Sequence, residues 1–410
     1  MLGQLLPALS LFSCLVIAKT KDSDSHSIPA NPNQPLSLPP HYQLLVGGQP
    51  GPFYTFNYDV SQKVITNSSM SVELGTGPSW VEFDQTKQFM FSSDATHTYN
   101  NLTNAGGVFS SKIDKDGKVT VISSSATGSQ PVRVAVDKEA RNLIVGTYIG
   151  ATVERFTIDP KTRELSKKPA EKMVFTGRSV NPIRQTASFI HDVQYTPDYT
   201  QVVAIDLGTD MIRKFQVGKD GELTKMAPVT LPPGCGPRHL TWAPRADGAK
   251  LDAYVICSLT RVLLTFEVDI ASNHKFTLKG KPLSTEPTHP LNRTTLEGSE
   301  ILVSPDGRFV VTSTTQTSAD PAFLPDNLLV SFPRDLKTGI LGSTPIRTPT
   351  GGRVPRQFAF DPTGQLIAVA QQGAENVLVL QRDVETSEAK IVTQAPAERA
   401  SFAVWRTLEK

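Results

Sequence analysis

Apolar residues along this chain come in short bursts separated by polar turns. A unit opens on a Pro- or Gly-led start, runs through a short apolar strand, turns at a D-P-x-G type sequence and returns as a second apolar strand. Gly77-Pro78 opens SWVEFDQTKQFMFSS, Pro131 opens VRVAVDKEARNLIVGTY and Ile190-His191 opens DVQYTPDYTQVVAIDLG. Gly236-Pro237 opens RHLTWAPRADGAKLDAYVICS, Ser299-Glu300 opens ILVSPDGRFVVTST and Pro355-Arg356 opens QFAFDPTGQLIAVAQQ. These starts recur roughly every 46 to 63 residues, the range of propeller blades with insertions. A third, alternating strand follows each pair (MIRKFQV and NVLVLQRD are examples), then a polar turn such as GKDGEL or DLKTGIL and a weaker fourth strand.

Four antiparallel strands per unit make a propeller blade. Six starts lie between Gly77 and Arg356, and a less regular seventh unit begins near Tyr42 with YQLLVGG and FYTFNYDV but lacks its own first strand. ASFAVW, Ala400 to Trp405, supplies it if the two chain ends pair, which also removes the exposed sheet edges. The expectation is an all-β, seven-bladed β-propeller over residues 42–410, its ring closed by the N- and C-terminal strands, with an open β-solenoid as the alternative. The composition agrees: 28 Gly and 31 Pro in 410 residues favour turns over long helices, and no 3.6-residue apolar period persists beyond about three turns.

The one long apolar stretch is N-terminal. LLPALSLFSCLVIA, Leu5 to Ala18, is too short to span a bilayer well and runs straight into KTKDSDSHS. It reads as a secretory signal peptide over residues 1–18, though no Lys or Arg precedes it, with a buried N-terminal element as the alternative. Residues 19–41, rich in Ser, Pro, Asn and Asp, read as a disordered leader. Three glycosylation triplets, at Asn67, Asn101 and Asn292, agree with secretion. Loss of Cys14 with the signal leaves Cys235 and Cys257, either a disulfide or two buried thiols. In the propeller reading they fall at neighbouring ends of antiparallel strands, which makes a disulfide geometrically possible.

Charge removes whole classes of partner. Lys and Arg number 41 against 39 Asp and Glu, a net +2 with no basic block, so neither nucleic acid nor, after signal cleavage, a membrane is expected. No Gly-rich phosphate loop leads into a helix, no G-x-S-x-G elbow is present, and the seven His show no HExxH or similar spacing. No cofactor or metal is therefore expected. Oligomeric state is not legible.

HDVQYTPDYTQVVAIDLGTDMIRKF, GCGPRHLTWAP, GSEILVSPDGRFVV and VPRQFAFDPTGQLIAVAQQ resemble the lactonase family of seven-bladed propellers, which includes bacterial 6-phosphogluconolactonases and fungal carboxy-cis,cis-muconate cyclases. The resemblance covers roughly Tyr42 to Trp405 and implies a polar pocket at one end of the central channel. For the cyclases it implies a His, a Glu and two Arg. The His matches His191 and one Arg matches Arg238; the Glu position is Ser258 and the second Arg position is Thr315. Glu300 and Arg356 also begin first strands, at what read as equivalent positions of adjacent units, and are the candidates to complete the set. Each has a bland alternative: a structural histidine for His191, an inter-blade carboxylate partner for Arg238, a mutual salt bridge for Glu300 and Arg356. Asp206 and Asp210 of DLGTD read as a turn or inter-blade support sooner than as catalysts.

The expected function is a secreted enzyme that forms, opens or isomerises a lactone of a small carboxylated or otherwise anionic molecule, with His191 moving a proton and Arg238 holding the anion. Sugar-phosphate hydrolysis in a cytosolic pathway is disfavoured by secretion. The alternative is a non-catalytic secreted glycoprotein that binds a ligand, a glycan or a protein on one face.

Overall fold

A computed structural model of the chain describes residues 37–245, 250–289, 294–318, 322 and 327–407. The N-terminal apolar segment, the leader up to residue 36 and Asn292 lie outside the described residues.

Seven sheets of four or more strands follow one another around a ring. The inner strands of blades 1 to 7 are Pro78–Phe83, Pro131–Val136, Ile190–Tyr195, Pro237–Pro244, Leu296–Val303, Pro355–Phe360 and Ala400–Thr407. Within blades 1 to 6 the strands pair antiparallel in chain order, and blade 3 adds a short fifth strand, Val229–Thr230. A small hairpin, Thr98–Tyr99 with Leu102–Thr103, projects from blade 1. Blade 7 is the composite foreseen in the sequence: Ala400–Thr407 pairs with His41–Gly48, joining the chain ends.

The apolar alternation builds this core between blades as well as within them. Val203, Ile205 and Ile212 of blade 3 pack with Leu240, Trp242 and Val255 of blade 4, and Tyr42, Leu44 and Tyr58 of blade 7 pack with Leu366, Ala368 and Val379 of blade 6. The D-P-x-G type turns work as their residues require. In blade 6 the Asp361 carboxylate accepts the Thr363 and Leu366 amides at 3.0 and 2.7 Å, and Gly364 takes φ 72°, a region that costs a glycine nothing.

One feature of every inner strand positions the site. Each carries a β-bulge near its start, at the register shifts Pro78/Trp80, Pro131/Arg133, Ile190/Asp192, Pro237/His239, Gly298/Ile301, Pro355/Gln357 and, in blade 7, opposite Gly47/Gly48. A bulge puts two residues against one and re-aims side chains. The extra residues are Ser79, Val132, His191, Arg238, Ser299, Arg356 and Ser401, and the next residues are Trp80, Arg133, Asp192, His239, Glu300, Gln357 and Phe402. Glu300 and Arg356 are therefore not equivalent, as the sequence suggested. Arg356 corresponds to Ser299, and Glu300 is one step further along its strand. The sequence reading was misled because the bulge shifts the count without changing the strand's appearance.

Candidate active site

The bulge positions form a ring at one end of the channel. Three hold serines that stitch each blade to the next: Ser79 Oγ to Pro131 O at 3.0 Å, Ser299 Oγ to Arg356 O at 2.7 Å, and Ser401 Oγ to Pro78 O at 2.9 Å. In blades 3, 4 and 6 the same position carries His191, Arg238 and Arg356. A repeated structural position has thus been given chemistry in three blades.

The residues one step further along meet across the axis. Trp80 of blade 1 lies edge-on to His239 of blade 4 with ring centres 6.0 Å apart. The Arg133 guanidinium sits 3.5 Å over the Trp80 ring and 3.3 Å from the Asp192 carboxylate. Glu300 Oε1 accepts from His239 Nδ1 at 2.7 Å. These side chains plug the channel beneath the bulge ring.

His191 and His239 bring the two layers together, with ring centres 5.1 Å apart. Tyr148 stands edge-on to His191 at 5.5 Å and stacks on Phe189 at 4.7 Å. Arg238 Nη1 lies 3.1 Å from His239 Nε2 and also donates to Ser299 O at 3.4 Å. Arg356 Nη1 donates to Gln372 Oε1 at 3.2 Å. Among the described residues neither Arg238 nor Arg356 has a carboxylate within ion-pair distance, so the expected alternatives, a carboxylate partner for Arg238 and a Glu300–Arg356 bridge, are not what the structure shows. A cavity of about 350 Å³ opens here, lined by Gln49, Gln130, Arg356, Gln372 and Arg399 among others. Arg356 is the candidate that lines it; His191 and Arg238 are outside its lining and are 9% and 7% exposed. A larger hollow, about 440 Å³, lies along Pro333–Gly342 of blade 5 and shares no residue with this cluster.

The electrostatics follow from burial. Burial pulls the Arg238 guanidinium down to about 9, with Arg356 lowering it further and Glu300 opposing. Burial, reinforced by Arg399, brings Arg356 to about 10. His191 is held well below the usual imidazole range, first by burial and then by Arg238, His239 and Arg356. It is neutral at physiological pH, and its Nδ1 is buried without a hydrogen-bond partner. Two guanidiniums thus lie buried here without a directly paired carboxylate among the described residues, while Glu300 is taken up by His239 and Asp192 lies against Arg133. No group of three or more His, Cys, Asp or Glu suited to a metal ion occurs among the described residues.

A family model described as lactonase, seven-bladed β-propeller, matches residues 43–405. The chain belongs to this lactonase family. The 6-phosphogluconolactonase of Bacillus subtilis is 26% identical over 84% of this chain and 91% of its own length. That of Formosa agariphila is 28% identical over 72% of this chain and 79% of its own. The periplasmic gluconolactonase PpgL of Pseudomonas aeruginosa superposes with a TM-score of 0.78 at 22% identity, covering 90% of this chain and 100% of that one, a likeness of fold.

Against the family's pattern, the two substituted positions share one neighbour. Ser258 Oγ donates to Glu297 Oε2 at 3.3 Å, and Glu297 sits opposite Thr315 in the blade 5 register. Arg184, from the connector ahead of blade 3, pairs with Glu297. A carboxylate and a guanidinium, contributed by other segments, therefore stand beside the two positions that the resemblance to the cyclases singles out. Cys235 and Cys257 form a disulfide next to Ser258. Asp206 and Asp210 are supports: Asp206 accepts from Ser188 Oγ, Phe189 N and Arg213, and Asp210 from Ser179 Oγ, Gln185 Nε2, Gly234 N and Gly236 N. Together they pin the connector that carries Phe189 and Arg184. His239, Tyr148, Glu297 and Arg184 were missed in the sequence. Only His239 left a signal there, as the last residue of Gly-Pro-Arg-His.

Proposed function

We propose that this lactonase-family chain opens the lactone ring of a small anionic molecule, one bearing a carboxylate or a phosphate. The observation that carries this is the pair Arg238 and Arg356, without carboxylate partners among the described residues, with a neutral histidine near them and Arg356 lining a cavity of small-molecule size. Arginines held this way cost desolvation and are repaid by a bidentate anion. The names of the relatives, 6-phosphogluconolactonases, fit an anionic lactone. Arg238 and Arg356 hold the anion, and His191, kept neutral by its surroundings, donates to the carbonyl oxygen as it gains charge. Ring closure or isomerisation would ask for an acid that protonates carbon, and Ser258 now stands at that acid's place, its nearby carboxylate Glu297 tied to Arg184. Hydrolysis makes no such demand.

A turnover panel of 6-phosphogluconolactone, carboxylated lactones, muconate-type diacids and neutral gluconolactone tests this. The expected result is hydrolysis of at least one anionic lactone, with His191→Ala and Arg238→Ala each losing about 100-fold or more of kcat/KM. A folded protein that turns over nothing on the panel, yet binds an anion at these arginines, favours the binding-protein reading.

We also propose that the chain is secreted and glycosylated. Its supports are the N-terminal apolar segment, the disulfide, and the exposed positions of Asn67 on an outer strand and Asn101 in the projecting hairpin. Mass spectrometry of protein from a secretory host is expected to find a mature N-terminus near Lys19 and glycan on Asn67 or Asn101. An intact Met1 on a cytosolic product overturns it.

A further inference from the structure

His239 was not singled out by its sequence, yet its imidazole is held by a buried carboxylate. Its Nδ1 is 2.7 Å from Glu300 Oε1. Glu300 is itself fixed: its carboxylate also accepts the Ile301 amide at 2.9 Å, its own amide donates to Ser313 Oγ at 3.0 Å, and its carbonyl accepts Thr312 Oγ1 at 2.7 Å. A carboxylate at Nδ1 keeps the proton on that nitrogen and leaves a lone pair on Nε2, the arrangement by which an imidazole activates water. His191, by contrast, has no carboxylate partner among the described residues, and its surroundings oppose protonation.

The Nε2 lone pair is not free. Arg238 Nη1 lies 3.1 Å from it. Among the described residues, Arg238 has that imidazole and the Ser299 carbonyl at 3.4 Å as partners, and a guanidinium satisfied by a neutral nitrogen and a long carbonyl contact is drawn strongly to an anion. We propose that His239, oriented by Glu300, is the general base of this site, and that Arg238 masks it until an anionic substrate draws the guanidinium away. The site is then selective in rate as well as in affinity, because a neutral lactone leaves the base covered.

This rests on the lactone-hydrolysis reading and deepens it. Once uncovered, Nε2 takes a proton from water as the water oxygen bonds to the lactone carbonyl carbon. The tetrahedral intermediate collapses with cleavage of the ring C–O bond, and the departing alkoxide takes the proton back from Nε2. The product is the hydroxy acid, and Glu300 stays a carboxylate throughout. The charged and titratable groups around His239 are Glu300, Arg238, His191 and Asp192, with Arg133 facing Glu300. Burial lowers the affinity of His239 for a second proton, Glu300 opposes this, and Arg238 adds to it. Glu300, which burial alone would raise, is kept below the usual carboxylate range by His239 and Arg133.

The experiment compares 6-phosphogluconolactone with neutral gluconolactone in the wild type, His239→Gln, Glu300→Gln and Arg238→Met, with a thermal midpoint for each variant. His239→Gln is expected to lower kcat on the phosphorylated lactone about 100-fold. Glu300→Gln removes the charge that favours the imidazolium, so its kcat falls at least tenfold and the acid limb of its pH profile moves to lower pH. A purely structural Glu300 would not move that limb. Arg238→Met loses kcat/KM on the phosphorylated lactone while kcat on the neutral one rises severalfold. If the wild type is active but His239→Gln keeps its kcat within threefold, or Arg238→Met slows both lactones in parallel, the masked-base proposal fails and the lactonase reading stands. If the wild type opens no anionic lactone of the panel, both fall, and if it opens a carboxylated one instead, that lactone takes the place of the phosphorylated one in this comparison. Should His239→Gln not fold, the Glu300→Gln profile decides alone.

Discussion

Deleting the last strand, Ala400–Thr407, is expected to abolish cooperative folding, although it removes few residues and none of the proposed catalytic groups. The strand is the inner strand of blade 7, and its contacts reach three blades. Phe402 is fully buried against Phe53, ring centres 6.3 Å apart, and Trp405 packs on Tyr42 and Tyr58 at 5.1 and 5.8 Å. Trp405 Nε1 donates to Ala359 O at 3.0 Å and the Ala403 amide to Gln357 Oε1 at 2.7 Å, both in blade 6. Arg406 Nη1 bonds Gln43 Oε1 and the Asp114 carbonyl, each at 2.7 Å, the latter in blade 1. Each large apolar side chain is worth about 1.5–3 kcal/mol when buried, and the strand also covers the edge of His41–Gly48. Set against a net stability of about 5–15 kcal/mol for a whole domain, the loss exceeds what the ring can absorb. Near-UV circular dichroism across a urea titration should show no sigmoidal transition in the truncated chain. A milder Phe402→Ala should keep the transition but cost about 3–5 kcal/mol. A truncated chain that unfolds as sharply as the intact one would mean that blades 1 to 6 suffice.

How much of this could be read beforehand divides along a physical line. Strand identity depends on local alternation and turn chemistry, so Pro131, Ile190, Pro237 and Pro355 all begin inner strands where the sequence placed them. Closure by Ala400–Trp405 was legible because a seventh unit without a first strand leaves an edge that something must cover. The bulges were not legible, because they exist only in the register between two strands. In a regular strand consecutive side chains point to opposite faces, so a strand pattern that sends Arg238 to the channel sends His239 beside it away. The bulge breaks that alternation and brings both to the channel. The same shift turned Glu300 and Arg356 into false equivalents. Arg184 could not be found at all: it lies in a connector without periodicity and reaches Glu297 two blades on.

The second large effect concerns charge. Arg238→Gln and Arg356→Gln should each weaken binding of an anionic product analogue by about tenfold to a hundredfold, from about 1.5–3 kcal/mol per charge-assisted bond lost. Binding of the neutral analogue should change little. The depressed guanidinium values add a pH dependence with a definite sign. An anion binds the protonated arginines, so affinity is fully present at neutral pH and is lost as pH rises through about 9 for Arg238 and about 10 for Arg356. Arginines at their ordinary value would show no such loss below pH 11. Calorimetric titration with gluconate 6-phosphate between pH 7 and 10.5 reads this directly, and proton uptake on binding should grow towards the upper end as the anion draws the guanidinium back to its charged form. Flat affinity across that range would show that both guanidiniums keep their ordinary charge in this site, and the two Gln variants then decide whether they hold the anion. Retained affinity in both Gln variants would place the anion elsewhere in the channel mouth, nearer Arg399.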